Sequence, residues 1–141
     1  MKDEIIKKYV RDPEGLKKEI KSFKQRYPDF SVDPASEEDI IYHETVIFLF
    51  SIIYKYLVFE NIPRFSGGEG LDALIEYKDD MIYVEFERFS SNLLNPKHHT
   101  DEEIAECNLL VCWEDNSRKK DDCWKHIDVF ELKCFWEQPK P

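Results

Sequence analysis

What is scarce in this chain narrows it first. Only four glycines occur in 141 residues, and three of them crowd into one stretch, Pro63 to Gly70 (P-R-F-S-G-G-E-G). They match neither G-x-G-x-x-G nor the Walker pattern, so they mark a flexible loop rather than a phosphate cradle. No apolar run reaches the roughly 18 unbroken residues of a spanning helix; the greasiest stretch, Thr45 to Phe59, is interrupted by Ser51 and Lys55. The chain opens on charged residues, Met1-Lys2-Asp3-Glu4, with no apolar signal segment after them, so a cytoplasmic protein is the expectation. Four cysteines (Cys107, Cys112, Cys123, Cys134) stand 5, 11 and 11 residues apart, without C-x-x-C pairing. That favours reduced structural thiols over zinc or disulfides. Internal repeats and low-complexity segments are also missing.

Positive charge is the other shortage. The formal net charge is -10 and it is unevenly spread: residues 1–30 carry nine Lys/Arg against six Asp/Glu, residues 31–141 eleven against twenty-four. An acidic body argues against a broad electrostatic grip on nucleic acid, whose affinity rests on Lys and Arg neutralising phosphates. A polyanion held by a local basic rim or through metal ions stays open. The length fits one domain with a real core, divided by composition into a basic helical segment, 1–30, and an α/β body, 31–141.

Within the basic segment, Asp3 to Val10 and Pro13 to Arg26 read as helices. Pro13 suits a first turn, and Leu16, Ile20, Phe23 and Tyr27 recur at helical spacing. Either an amphipathic helix packed on the core or an arm approaching a phosphate backbone or partner chain fits this pattern. Pro28 to Pro34 breaks the chain. Ser36, with Asp39 three positions on, opens a helix expected to run to about Phe59, apolar on most sides and therefore buried. Glu44 stands at the head of its greasy part, beside His43; it sits in an exposed first turn or points into a polar site, because buried Glu is rare unless paired. Further on, Thr100 should cap a short acidic helix, Asp101 to Glu106. Leu109 to Trp113 reads as a strand buried on both faces, Asp115 to Asp122 as a polar loop, and His126 to Leu132 as another strand. The order predicts a mixed α/β domain, a central sheet flanked by helices.

Between these lies Gly70 to Arg88 (G-L-D-A-L-I-E-Y-K-D-D-M-I-Y-V-E-F-E-R), two alternating strands around a polar turn. A two-residue Asp79-Asp80 turn pairs Tyr77 with Ile82, Ile75 with Val84 and Ala73 with Phe86, leaving one face apolar. The other face then gathers Asp72, Glu85 and Glu87, whereas a slip of one residue spoils both faces. Opposed like charges destabilise a strand pair by about 1 kcal/mol or less each. They are relieved by protonation, by fanning into water, or by a shared cation. A solvated acidic face and a site for a hard divalent ion are the two readings.

A helix bearing Glu44, then Asp72, then Glu85-Phe86-Glu87, then a helix and the buried strand 109–113, resembles the PD-(D/E)XK nuclease-like superfamily of restriction endonucleases and Holliday-junction resolvases. V-E-F-E-R, S-S-N and C-N-L-L-V-C-W-E look like small microbial proteins on that fold. The resemblance spans Ser36 to Trp113. It implies a restriction endonuclease-like core with the N-terminal helices as an appendage, and hydrolysis of phosphodiester bonds in nucleic acid, DNA in the first instance. It further implies Mg²⁺ or Mn²⁺ held by Asp72, Glu85 and Glu87, with Glu44 as an accessory carboxylate. The chain departs from the family at Glu87, where a lysine is usual, and in lacking the proline before Asp72. Lys97, His98 and His99 lie where a replacement cation would be expected, and Ser91 and Asn92 where a phosphate contact or a turn cap would be. A homodimer follows only by analogy, since two cuts need two sites. A non-catalytic member, binding nucleic acid or protein, is the alternative.

Overall fold

The computed structural model describes residues 3–30, 43–66, 70–94, 99–116 and 125–137. Helix α1 (Asp3–Tyr9) has Asp3 and Glu4 in its first turn and Lys7 and Lys8 in its last, the arrangement that complements the helix dipole. Asp12 caps α2 (Pro13–Arg26), accepting from the Gly15 amide at 3.0 Å, with Pro13 in the first turn. Gly15 is required there: a Cβ would meet the Asp12 carboxylate at 2.4 Å and the Tyr56 ring at 2.7 Å. Along α2, Leu16, Ile20 and Phe23 are buried. Together with Tyr9 and Val10 they belong to the same core as the sheet. The boundary at residue 30 is thus one of charge, not of packing.

Helix α3 (His43–Ile53) turns Val46, Leu49, Phe50 and Ile53 inward. It ends at Ile53 and passes through a 3₁₀ turn, Tyr54–Tyr56, instead of continuing to Phe59. The N-terminal segment competes for this backbone. The Arg11 and Asp12 amides both donate to Tyr56 O (2.8 and 3.0 Å), the Val58 amide donates to Tyr9 O (2.9 Å), and Val10 bridges Leu57. Extended geometry at Leu57 is incompatible with a helical turn. The expected cap at Ser36 and Asp39 lies outside the described residues.

Five strands form one mixed sheet in the order β1 (Arg64–Phe65), β2 (Ala73–Tyr77), β3 (Asp80–Phe89), β4 (Leu109–Glu114) and β5 (Asp128–Glu131). The first three run antiparallel, and β3, β4 and β5 are parallel. The Pro63–Gly70 loop therefore contributes a short edge strand, β1. The hairpin register differs from the expected one by two residues: Ala73 pairs with Val84, Ile75 with Ile82 and Tyr77 with Asp80. The turn is Lys78-Asp79, both at positive φ (51° and 64°), as a two-residue type I′ loop demands. Because the shift is even, the side chains keep their faces, and hydrophobic alternation alone could not tell the two pairings apart.

Helices flank both faces. On one, α2 and α3 pack with Ala73, Ile75, Val84, Phe86, Leu109, Val111 and Phe130; the Phe50 ring meets Phe86 edge-on at 5.4 Å. On the other, Leu110, Cys112 and Val129 pack with Leu93, Ile104 and Cys107. Strand β4 is buried from Leu109 to Trp113, on both faces as expected. Helix α4 (Asp101–Glu106) begins at Thr100, whose hydroxyl accepts from the Glu103 amide at 3.2 Å. A short α5 (Lys133–Trp136) follows β5. No helix among the described residues is long and apolar enough to cross a membrane.

Candidate metal site

The parallel pairing sets Glu85 beside Leu110 and Glu87 beside Cys112, so both carboxylates point to the face that carries the second core. Neither can fan into water there. Glu85 is only 3 % exposed, and its Oε2 has no hydrogen-bond partner among the described residues. Asp72 stands at the start of β2, fixed by the Phe86 amide, which donates to its Oδ2 at 2.9 Å. Burial, first, and then the neighbouring Asp72 carboxyl with the charges of Glu87 and Glu103, hold Glu85 far above the ordinary carboxylate range.

His99 closes the other side. Its Nε2 lies 2.7 Å from Glu87 Oε1, and its Nδ1 3.3 Å from Glu103 Oε2 and 4.0 Å from Glu85 Oε2. The ring is 7 % exposed and Glu87 17 %. Carboxyl oxygens stand at both ring nitrogens, so each N–H the ring carries has an acceptor. The hydrogen bond to Glu87 raises its pKa most, burial opposes that, and Glu103 adds to the rise. Burial also pushes the nearby Cys107 thiol up, with the Glu85 charge adding to it, so this sulfur stays protonated and inert.

One oxygen of Glu85, one of Glu87 and one nitrogen of His99 lie mutually within 4.8 Å. The chemistry of this donor set fits a divalent ion, and the orphaned Glu85 oxygen is the position that most needs one. Asp72 falls on the same side of the sheet as Glu85 and is engaged with it. It is outside the group of three, whose third member is His99. Glu44 is exposed, in the first turn of α3, the helix whose inward residues pack on the opposite face of the sheet. Lys97 and His98 lie outside the described residues. Ser91 and Asn92 sit in a 3₁₀ turn, Ser90–Leu94, tied down by the Ser91 amide donating to Asn116 Oδ1 (3.0 Å) and by buried Ser90 bonding Asp115 (2.7 Å).

Sequence reasoning placed His99 near the site as a stand-in for lysine and passed over Glu103. Thr100-Asp101-Glu102-Glu103 was the available signal: a T-x-x-E capping box fixes the fourth residue over the start of its helix, directly behind His99. Comparison with family models, with curated proteins and with solved structures returned no match.

Proposed function

We propose that this domain binds a divalent metal ion on the acidic face of its sheet and uses it to hydrolyse phosphodiester bonds in nucleic acid, with DNA the first substrate to test. One observation carries the reading. Glu85, on a central strand, is buried among other acids with an oxygen left unbonded among the described residues, at a cost of about 1–3 kcal/mol, which a bound cation would remove. Glu85 and Glu87, with His99 or Asp72 completing the set, would hold the ion. When bound it lowers the pKa of a water molecule and offsets charge on the phosphate.

The chain's own part is positioning and charge. Strand β3, hydrogen-bonded on both edges, fixes the spacing of Glu85 and Glu87. The Phe86 amide, donating to Asp72 Oδ2, holds that carboxyl beside β3 on the side of Glu85. Carboxylates alone repel a phosphate; the loaded cluster reverses that sign. The helix order and the Asp72, Glu85, Glu87 spacing support the likeness to nuclease-like domains.

A second reading, a non-catalytic binding or regulatory module, is favoured by the Glu87–His99 pair. Where a nuclease of this kind would offer a free lysine, Glu87 is an acid already hydrogen-bonded to the His99 ring. Single- and double-stranded DNA and RNA incubated with the full chain and Mn²⁺ or Mg²⁺ separate the two. Cleavage lost in Asp72→Ala and Glu85→Ala supports the enzyme. Ion binding without cleavage of any of them leaves the module, and the hydrolytic reading is then withdrawn.

A further inference from the structure

The surroundings of His99 say more about the ion than the acids do. This inference rests on the metal reading above and concerns which atoms make the site and which ion they select. From Glu85, Glu87, His99 and Glu103, we infer a mixed oxygen–nitrogen centre: Glu85, Glu87 and the His99 imidazole are the ligands, Glu103 is the positioning residue, and a first-row transition ion is taken in preference to Mg²⁺.

Three observations converge. Glu85 is buried to more than nine-tenths, its Oε2 lacks a hydrogen-bond partner among the described residues, and that atom lies 4.0 Å from His99 Nδ1. Ligands each about 2.1 Å from one ion sit roughly 3.0–3.4 Å apart. The His99–Glu87 pair at 2.7 Å and the mutual 4.8 Å limit of the three atoms are within reach of that by side-chain rotation alone. The two atoms are hydrogen-bonded as the pair stands; binding an ion would release that proton to solvent and part them to ligand spacing.

The second nitrogen is the more telling one. A metal-bound histidine nearly always gives its other N–H to a carboxylate or carbonyl, which orients the ring and raises its basicity. Glu103 Oε2 stands 3.3 Å from His99 Nδ1. The local fold holds it there: Thr100 caps α4 by accepting from the Glu103 amide, and the Glu103 side chain reaches the ring. Glu103 thus holds Nδ1, which leaves Nε2, beside Glu87, as the nitrogen free to ligate. Mg²⁺ favours an all-oxygen octahedron and keeps most of its waters, whereas an imidazole donor suits the transition series.

The test uses the full-length chain, stripped with chelator, with Mn²⁺ and Mg²⁺ as probes. Calorimetry should give one Mn²⁺ per chain, bound at least about tenfold more tightly than Mg²⁺. Pulsed electron paramagnetic resonance of bound Mn²⁺ should show the ¹⁴N coupling of a directly ligated imidazole. His99→Ala should abolish that coupling and weaken Mn²⁺ selectively. Glu103→Gln should keep the coupling but lower Mn²⁺ affinity about 10–100-fold, with Glu103→Asp recovering part of it. Should His99→Ala fail to fold, the ¹⁴N signal of the unaltered protein decides alone. Bound Mn²⁺ without nitrogen coupling, or Mg²⁺ binding as tightly as Mn²⁺, overturns the mixed centre while leaving a metal site. If neither ion binds, both this inference and the metal reading fall.

Discussion

Replacing Glu85 with Gln should make the metal-free protein more stable, most clearly above neutral pH. Glu85 is a carboxyl whose folded pKa is raised, chiefly by burial and then by Asp72, so the linkage runs opposite to the usual acid. Between the unfolded value near 4.3 and the raised folded value, the folded chain keeps a proton that the unfolded chain has released. Stability therefore falls as pH rises through that window, by up to about 1.4 kcal/mol per pH unit for one proton. His99 acts with the same sign: its folded pKa is also raised, so its contribution is present below about 6.5 and is lost as pH climbs through the folded value. Gln has nearly the shape of the protonated acid and carries no charge. At pH 8, Glu85→Gln should gain about 1–3 kcal/mol, or roughly 3–8 °C in thermal midpoint for a domain of this size. Urea unfolding and thermal scans of chelator-treated protein from pH 5 to 9 measure this directly. The wild-type curve should fall more steeply than the variant's, whose remaining slope belongs to His99 and, above about pH 8, to the buried thiols, and the two should converge toward about pH 4.5. A variant less stable than wild type at pH 8, or two parallel curves, would refute the crowded-carboxylate argument.

Other expectations concern parts of the fold away from Glu85. Thr100→Ala removes the α4 cap and should cost about 1 kcal/mol in chemical denaturation. It should also weaken Mn²⁺ binding, because Glu103 and His99 lose their anchor. Deleting residues 1–26 strips Tyr9, Val10, Leu16, Ile20 and Phe23 from the main core. At about 1.5–3 kcal/mol per side chain this rivals the whole stability of an ordinary domain, about 5–15 kcal/mol, so the truncated chain should show no cooperative melting transition. Cys107 and Cys112 are fully buried with thiol pKa values pushed up by burial. Mass-spectrometric mapping after iodoacetamide should find both unlabelled in the native protein and labelled in urea.

The sequence was most legible where a local rule acts alone. Pro13 and the Leu16–Ile20–Phe23 spacing located α2 to the residue, Thr100 located α4, and the unbroken apolar run of β4 announced burial on both faces. It misled where a distant partner decides. The apolar pattern to Phe59 gives no hint that Tyr9 and Arg11 will claim the backbone at Tyr56 and Val58. In the hairpin, alternation assigned Glu85 and Glu87 to one face correctly but could not separate two registers of equal parity. The true register puts Asp72 against Glu85 rather than Glu87. At the candidate site the acids were legible as a spacing, whereas His99 reaches them only through the fold of the β3–β4 connection, which no periodicity in the chain encodes.

The central claim is that buried acids on β3 form the floor of an ion site. Anomalous scattering from crystals of the full chain soaked in Mn²⁺ addresses it most directly. The account predicts one strong peak bounded by Glu85, Glu87 and His99, with Glu85 Oε2 turned onto it. A map with no peak there at saturating Mn²⁺, with Glu87 still hydrogen-bonded to His99, would contradict it.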